Sequence, residues 1–158
     1  MVIDDAIQTL TKIYQSIDQG IPRTVAGPDA LVNHLNDLYG DSCEGLTSEE
    51  LFAYDDVRNP SITLTIGVDV ELDLKRVMEN MRTRLHVTQY RGADEMGKTG
   101  IVWSHGRYDF LYDDDAGLLR ISHRYSHKQG DIKSVLSIIK KMIDYARDYL
   151  EEAKKSAE

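Results

Sequence analysis

One segment of the sequence fits a pattern known for binding phosphate. Residues 92–99 read Gly-Ala-Asp-Glu-Met-Gly-Lys-Thr and match G-x-x-x-x-G-K-[ST] through Gly92, Gly97, Lys98 and Thr99. In a working phosphate loop the backbone N–H groups surround the phosphates, the lysine reaches the terminal phosphates and the hydroxyl binds magnesium. These four residues are the candidate site for a nucleotide.

The residues around this segment favour a simpler interpretation. A phosphate loop leads into a helix whose N-terminus faces the anion, whereas the run Gly100-Ile101-Val102-Trp103 is typical of a strand. Asp94 and Glu95 add two carboxylates that repel phosphate. The resemblance to phosphate-loop nucleotidases covers these eight residues alone, and the later sequence does not show the alternating strands and helices of their parallel sheets. We therefore expect a hairpin loop, and nucleotide binding or a nucleotide-dependent enzyme is the alternative.

His105, His123, His127 and Cys43 are residues whose types could bind a metal ion. His123 and His127 share a face if they lie on one strand, but at ~3.3 Å per residue they stand about 13 Å apart. That distance is too long for one ion, since zinc–nitrogen distances are near ~2 Å. His105 is expected on the face opposite His123, and Cys43 is the only cysteine. We expect no metal site, no cofactor and no catalytic residue.

Composition narrows the class of protein. The chain has 158 residues, 41% of them apolar and 29% charged, which fits a single globular domain over residues 1–158. The formal net charge of −8 argues against nucleic-acid binding, which needs a basic surface, and suits either solubility or a basic protein partner. No apolar run approaches the roughly 18 residues that cross a bilayer, and the start is acidic, unlike a signal peptide. We expect a cytoplasmic protein that does not bind membranes.

The hydrophobic periodicity predicts an α+β fold. Spacings of three and four predict helices over about residues 4–18, 28–40, 73–85 and 131–154. Alternation predicts strands over about residues 61–72, 86–91, 101–112 and 118–127. Thr47-Ser48-Glu49-Glu50 resembles a capping box at the start of a helical turn. We expect an antiparallel sheet of about four strands, packed against the N-terminal helices and a long C-terminal helix.

The register of the last two strands follows from their side chains. The expected pairs are Tyr112 with Leu119, Phe110 with Ile121, and Tyr108 with His123. This register gives one apolar face, whereas a shift of one residue would mix both faces. The opposite, polar face is then predicted to contain Trp103, Arg107, Asp109, Arg120 and Arg124.

The apolar stripe of the C-terminal helix is longer than the sheet that it covers. The helix spans roughly 35 Å at ~1.5 Å per residue, against about 17–20 Å for a typical strand. We predict that its last turns, with Tyr145, Tyr149 and Leu150, extend past the sheet and contact a second copy, which would give a homodimer.

Together these observations favour a binding function over catalysis. We expect an acidic protein-binding module of the kind that serves as an adaptor, dedicated chaperone, immunity protein or inhibitor. Tryptophan and arginine are common at interface hot spots. The predicted partner-binding residues are Trp103, Arg107, Arg120 and Arg124 on the strand face and Tyr145, Tyr149 and Leu150 at the helix end.

Overall fold

The computed structural model describes residues 2–39, 45–46, 51–55, 60–68, 70, 72–87, 99–113, 117–124 and 132–157. The elements in these ranges, in chain order, are α1 (Val2–Gln19), α2 (Pro28–Tyr39), β1 (Phe52–Asp55), β2 (Ser61–Gly67), α3 (Leu74–Arg84), β3 (Thr99–His105), β4 (Tyr108–Asp113), β5 (Leu118–Arg124) and α4 (Ile132–Ala157). All strand pairs are antiparallel, and the strands form one sheet in the order β1-β2-β5-β4-β3. The predicted α+β class is confirmed, with five strands in place of about four.

Alternating burial along β2 separates the two faces of the sheet. Ile62, Leu64 and Ile66 are fully buried under the helices, while Thr63 and Thr65 between them are half-buried on the other side. Helix α4 packs on β2 and β5, α1 and α3 pack on α4, and α2 packs on β1. The core therefore lies between one face of the sheet and a layer of helices.

Helices α1 and α4 run antiparallel to each other. Asp4 at the start of α1 pairs with Lys154 at 2.8 Å, and Asp18 at its end pairs with Lys140. Lys140 and Arg147 of α4 also lie over the ring of Tyr14, at 5.0 and 4.9 Å from its centroid. The apolar stripe predicted for the first helix therefore packs against the last one.

The predicted register of β4 and β5 is confirmed. Tyr112 opposes Leu119, Phe110 opposes Ile121, and Tyr108 opposes His123. The prediction of one strand over residues 101–112 is wrong, because the chain reverses at Gly106 and Arg107 and forms the β3–β4 hairpin. Gly106 has φ +62°, as the first position of a two-residue II′ turn requires.

Strand β1 was not predicted, and its outer edge is covered by a side chain. Thr65 N–H donates to the Leu51 carbonyl at 2.9 Å. Because hydrogen-bonded and non-hydrogen-bonded pairs alternate, the N–H and C=O of Phe52 point away from β2. The Asn36 side chain binds both, with Nδ2 donating to the Phe52 carbonyl at 2.7 Å and Oδ1 accepting from Phe52 N–H at 3.1 Å. Its amide occupies the hydrogen-bonding position of a sixth strand.

Two predicted elements fall partly or wholly outside the described residues. The capping box at 47–50 lies outside them, as do residues 88–91 of the strand predicted over 86–91. Of that strand's described residues, His86 has φ +57°, and neither His86 nor Val87 is extended in a ladder. Leu38 of α2 is 51% exposed, although it continues the spacing of the buried Leu31 and Leu35.

The prediction that the last turns of α4 extend past the sheet and contact a second copy is not supported by the burial of the three residues named for it. Tyr145, Tyr149 and Leu150 are buried, with exposed fractions of 3% or less. Tyr145 contacts Phe110 of the sheet edge to edge at 5.1 Å between ring centroids. The other turns of α4 are covered by α1 and α3. The helix therefore packs along its length against the sheet and two other helices of the same chain.

Candidate functional site

The phosphate-loop pattern ends where a strand begins. Gly92, Gly97 and Lys98 lie outside the described residues, and Thr99 is the first residue of β3. A strand therefore takes the place of the helix that a phosphate loop needs after its lysine. Among the described residues, nothing offers a helix N-terminus to an anion at this point, and nucleotide binding stays an untested alternative.

The sheet has one face on which no helix of the described ranges packs, and we name it the helix-free face. Its side chains alternate along the strands with the buried ones. Over β2, β3, β4 and β5 the helix-free face includes Ser61, Thr63, Thr65, Ser104, Asp109, Leu111, Asp113, Leu118, Arg120, Ser122 and Arg124. Most of these residues are half-buried, and Arg124 is exposed. The face is polar, with short hydroxyl side chains on β2 and β5 and charged ones on β4 and β5.

Cross-strand contacts order the middle of the helix-free face. The hydroxyls of Thr63 and Ser122 lie 3.0 Å apart, and Ser104 donates to Asp109 Oδ1 at 2.6 Å. Arg124 Nε stands 3.6 Å from the other oxygen of Asp109. Such contacts hold the strands flat and leave the arginine tip toward solvent.

The charge pairs on this face are loose. Arg120 Nη1 lies 4.0 Å from Asp113 Oδ2, and the Arg124–Asp109 pair is 3.6 Å, both longer than a hydrogen bond. Their arginine side chains are 36% and 63% exposed. Exposed pairs of this kind contribute at most ~1 kcal/mol to stability, so either arginine can exchange its partner for an external carboxylate at low cost.

Only some of the four residues predicted on the strand face lie on the helix-free face. Arg120 and Arg124 lie on the helix-free face of β5, as expected. Arg107 is in the hairpin turn and exposed, not in a strand. Trp103 pairs with Phe110 in the backbone register of β3 and β4, next to a bulge between Ile101 and Trp103. The face of the Trp103 side chain lies outside what the structure describes, so its place beside the arginines stays a prediction.

A cluster of histidine and tyrosine side chains lies on the opposite, helix-covered face. His105 opposes Tyr108 and Tyr108 opposes His123, so all three share one face. His105 Nδ1 is 2.6 Å from Tyr145 Oη, and the Tyr108 ring contacts both His123, at 4.5 Å, and Tyr145, at 5.2 Å between centroids. The sequence-based placement of His105 opposite His123 was wrong because it took residues 101–112 as one strand.

The protonation of this cluster is set by burial. His123 is 7% exposed and its Nδ1 has no hydrogen-bond partner. Burial, with Arg107 nearby, lowers the pKa of His123, and Asp109 acts in the opposite direction. Burial and the adjacent Tyr145 raise the pKa of Tyr108 to about 12. At neutral pH the ring of His123 is uncharged and the phenol of Tyr108 keeps its proton.

This arrangement is suited to packing and offers little for acid–base or metal chemistry. A catalytic acid or base works best with a pKa near the operating pH, and burial raises the pKa of Tyr145 as well as that of Tyr108. His105 and His123 lie on strands two interstrand spacings apart, which is about 9.6 Å. Among the described residues, no group of three His, Cys, Asp or Glu side chains could hold a metal ion.

The comparisons with known proteins identify no relative. No protein-family model matches the sequence, and no curated protein or solved structure is significantly similar to it. None of the described helices is both long and apolar enough to cross a bilayer.

Proposed function

We propose that this chain is a non-catalytic protein-binding module and that the helix-free face is its binding surface. The observation that carries the proposal is the one-sided packing of the fold. The described helices cover one face of the sheet, while Arg120 and Arg124 stand on the other with exposed tips.

The size of the helix-free face supports this proposal. Four of its strands have six or seven residues, and neighbouring strands lie ~4.8 Å apart. These dimensions give a flat face of about 19 by 22 Å, or on the order of 400 Å² before side-chain relief. A standard interface buries ~800 Å² of accessible surface on each partner, so the face can supply about half of one partner's share.

The charges support a protein partner that is basic overall and carries carboxylates at the contact. A net charge of −8 attracts basic proteins over distances of about the Debye length, ~8–10 Å. At contact, Arg120 and Arg124 can leave their loose aspartate pairs and bind carboxylates of the partner, while Asp109 and Asp113 receive its cations. The alternating signs on β4 and β5 would then select the orientation of the partner.

The test is affinity capture from an extract of the source cells, followed by titration calorimetry with the purified partner. The variant carries Arg120→Glu and Arg124→Glu together. The control is Arg76→Glu, which makes the same kind of change on the exposed side of α3, away from the face. Far-UV circular dichroism checks that all three proteins are folded.

We expect the wild type and Arg76→Glu to bind one protein in a fixed stoichiometry and with equal affinity. The double variant should bind it at least ~10-fold more weakly, since interface hot spots contribute more than ~1 kcal/mol each. The proposal fails if no protein is captured in a fixed ratio, or if the double variant retains the affinity of the wild type.

A further inference from the structure

The two outer strands of the sheet differ in how their free backbone groups are used. β1 is four residues long, and the Asn36 amide binds the outward N–H and C=O of Phe52. β3 is seven residues long and stands at the other end of the sheet, where the described ranges contain no strand beside it. Among the described residues, one edge of the sheet is closed by a side chain, whereas the other has no strand beside it and offers free backbone groups.

The alternation of hydrogen bonds identifies which groups of β3 face outward. His105 and Tyr108 flank a two-residue turn, so they form a hydrogen-bonded pair, and Trp103 with Phe110 forms the next one. Ser104 lies between these pairs, opposite Asp109. Its backbone N–H and C=O therefore point away from β4, toward the free edge.

The chemistry of β3 fits a second copy of the same chain better than a charged partner. The strand Thr99–His105 contains no Asp, Glu, Lys or Arg, whereas β1, β4 and β5 each contain at least one. Two chains with a net charge of −8 repel each other, so they associate most easily through an uncharged segment. When a strand pairs antiparallel with its own copy, the N–H of the residue on the two-fold axis meets the C=O of the same residue in the other copy. The pairing therefore needs no further complementarity between the two chains.

We propose that two copies of this chain pair through β3, antiparallel and about a two-fold axis at Ser104. The Ser104 N–H of each copy donates to the Ser104 carbonyl of the other, which joins the two sheets into one of ten strands. The bulge between Ile101 and Trp103 limits the regular pairing to the end of β3 next to the turn. Because Asn36 closes β1, the pairing stops at a dimer and does not extend into a filament.

The test compares Ser104→Pro with Ser104→Ala by sedimentation equilibrium from nanomolar to high micromolar concentration. Proline removes the outward N–H together with the hydroxyl, and it leaves the β3–β4 ladder intact, since that donor takes no part in it. Alanine removes the hydroxyl that binds Asp109 and keeps the N–H, so it controls for the side chain. The wild type and Ser104→Ala should dimerise equally, and Ser104→Pro should raise the dissociation constant about 100-fold or more.

Hydrogen exchange of the wild type gives a second readout that needs no variant. The Ser104 amide should be protected in the concentrated sample and exchange freely after dilution below the dissociation constant. The proposal is overturned if the wild type stays monomeric at every concentration, if Ser104→Pro dimerises like the wild type, or if the Ser104 amide exchanges freely in a dimeric sample. The Arg120→Glu and Arg124→Glu variant changes the helix-free face but not the backbone of β3, so it should still dimerise, which separates failure of this proposal from failure of the proposed function.

Discussion

The Nδ1 atom of His105 lies 2.6 Å from the phenolic oxygen of Tyr145, which ties the end of strand β3 to the middle of helix α4. Lys141 lies over the same tyrosine ring at 5.0 Å from its centroid. We predict that Tyr145→Phe lowers the free energy of unfolding by about 1 kcal/mol, since one partly buried hydrogen bond is lost.

A double-mutant cycle with His105→Ala tests whether that loss comes from this bond. The coupling energy measured by urea unfolding should be about 0.5–1.5 kcal/mol. Tyr112→Phe is the matched control, since the described residues offer Tyr112 no hydrogen-bond partner, and it should change stability little. A coupling energy near zero would mean that the 2.6 Å contact does not contribute to stability.

His123 makes the stability depend on pH on the acid side. Its pKa is lowered in the folded chain by burial and by Arg107, so the unfolded chain binds the proton more readily. The free energy of unfolding should be constant above about pH 6.5, the ordinary value for histidine. It should fall as the pH drops below that value, by at most about 1.4 kcal/mol per unit for this one proton.

The variant His123→Leu separates this effect from the titration of carboxylates. Leucine also replaces a buried nitrogen that has no hydrogen-bond partner, so we expect the variant to be about 1 kcal/mol more stable than the wild type at pH 7. Urea unfolding of both proteins between neutral pH and about pH 5 gives the comparison. Parallel stability curves for the two proteins would show that His123 is not the titrating group.

Gly45 is predicted to tolerate no side chain. A Cβ atom there would lie 2.5 Å from the Val2 carbonyl oxygen and would also collide with the backbone nitrogen of Ala6, and its φ is +83°. Gly45→Ala should lower the free energy of unfolding by about 2–4 kcal/mol, because backbone in the first turn of α1 cannot move aside cheaply. Gly20→Ala is the control: its φ is +123°, but nothing lies within 4 Å. It should cost about 1 kcal/mol, and equal losses in the two variants would contradict the collision.

Asn36→Ala should change the assembly as well as the stability. The variant leaves the N–H and C=O of Phe52 unpaired, at a cost of about 2–3 kcal/mol, and it opens the edge of β1. With two open edges, the chain should form species larger than a dimer, which light scattering after size-exclusion chromatography would detect. Asn33→Ala, on the exposed side of the same helix, should leave the size distribution unchanged, and an unchanged distribution for Asn36→Ala would contradict the closing role of Asn36.

A strand that begins at Thr99 predicts that ATP and GTP do not bind with magnesium. Titration calorimetry with the wild type should show no heat of binding beyond dilution. The contrary outcome, a measurable affinity that Lys98→Ala abolishes, would establish the nucleotide-binding alternative.

Some of the fold could be predicted because its signal is local. The alternation in β2 and the side chains of β4 and β5 identified both faces, since a shift of one residue would bury charge. The β3–β4 hairpin was missed because residues on both sides of Gly106 and Arg107 favour strands, although glycine at the first of two loop positions is typical of a II′ turn. That error moved His105 to the wrong face.

Other features depend on contacts that the sequence pattern does not contain. β1 has four residues, too few to show a period, and the two hydrogen bonds of Asn36 to Phe52 join residues 16 apart. The sequence shows the apolar stripe of α4, but an apolar stripe alone does not identify the element that packs on it. Tyr149 and Leu150 are covered by packing within the chain, so the residues predicted to contact a second copy at the helix end are not exposed.

The antiparallel packing of α1 on α4 has a consequence during synthesis. The stripe of α1, with Ile3, Leu10 and Ile17 buried, packs mainly on α4, which is the last of the described elements to leave the ribosome. More than a hundred residues separate the two helices, which corresponds to on the order of 10 s of translation. For that time the nascent chain carries an amphipathic helix with an exposed apolar side, and ribosome-associated chaperones have a defined segment to bind.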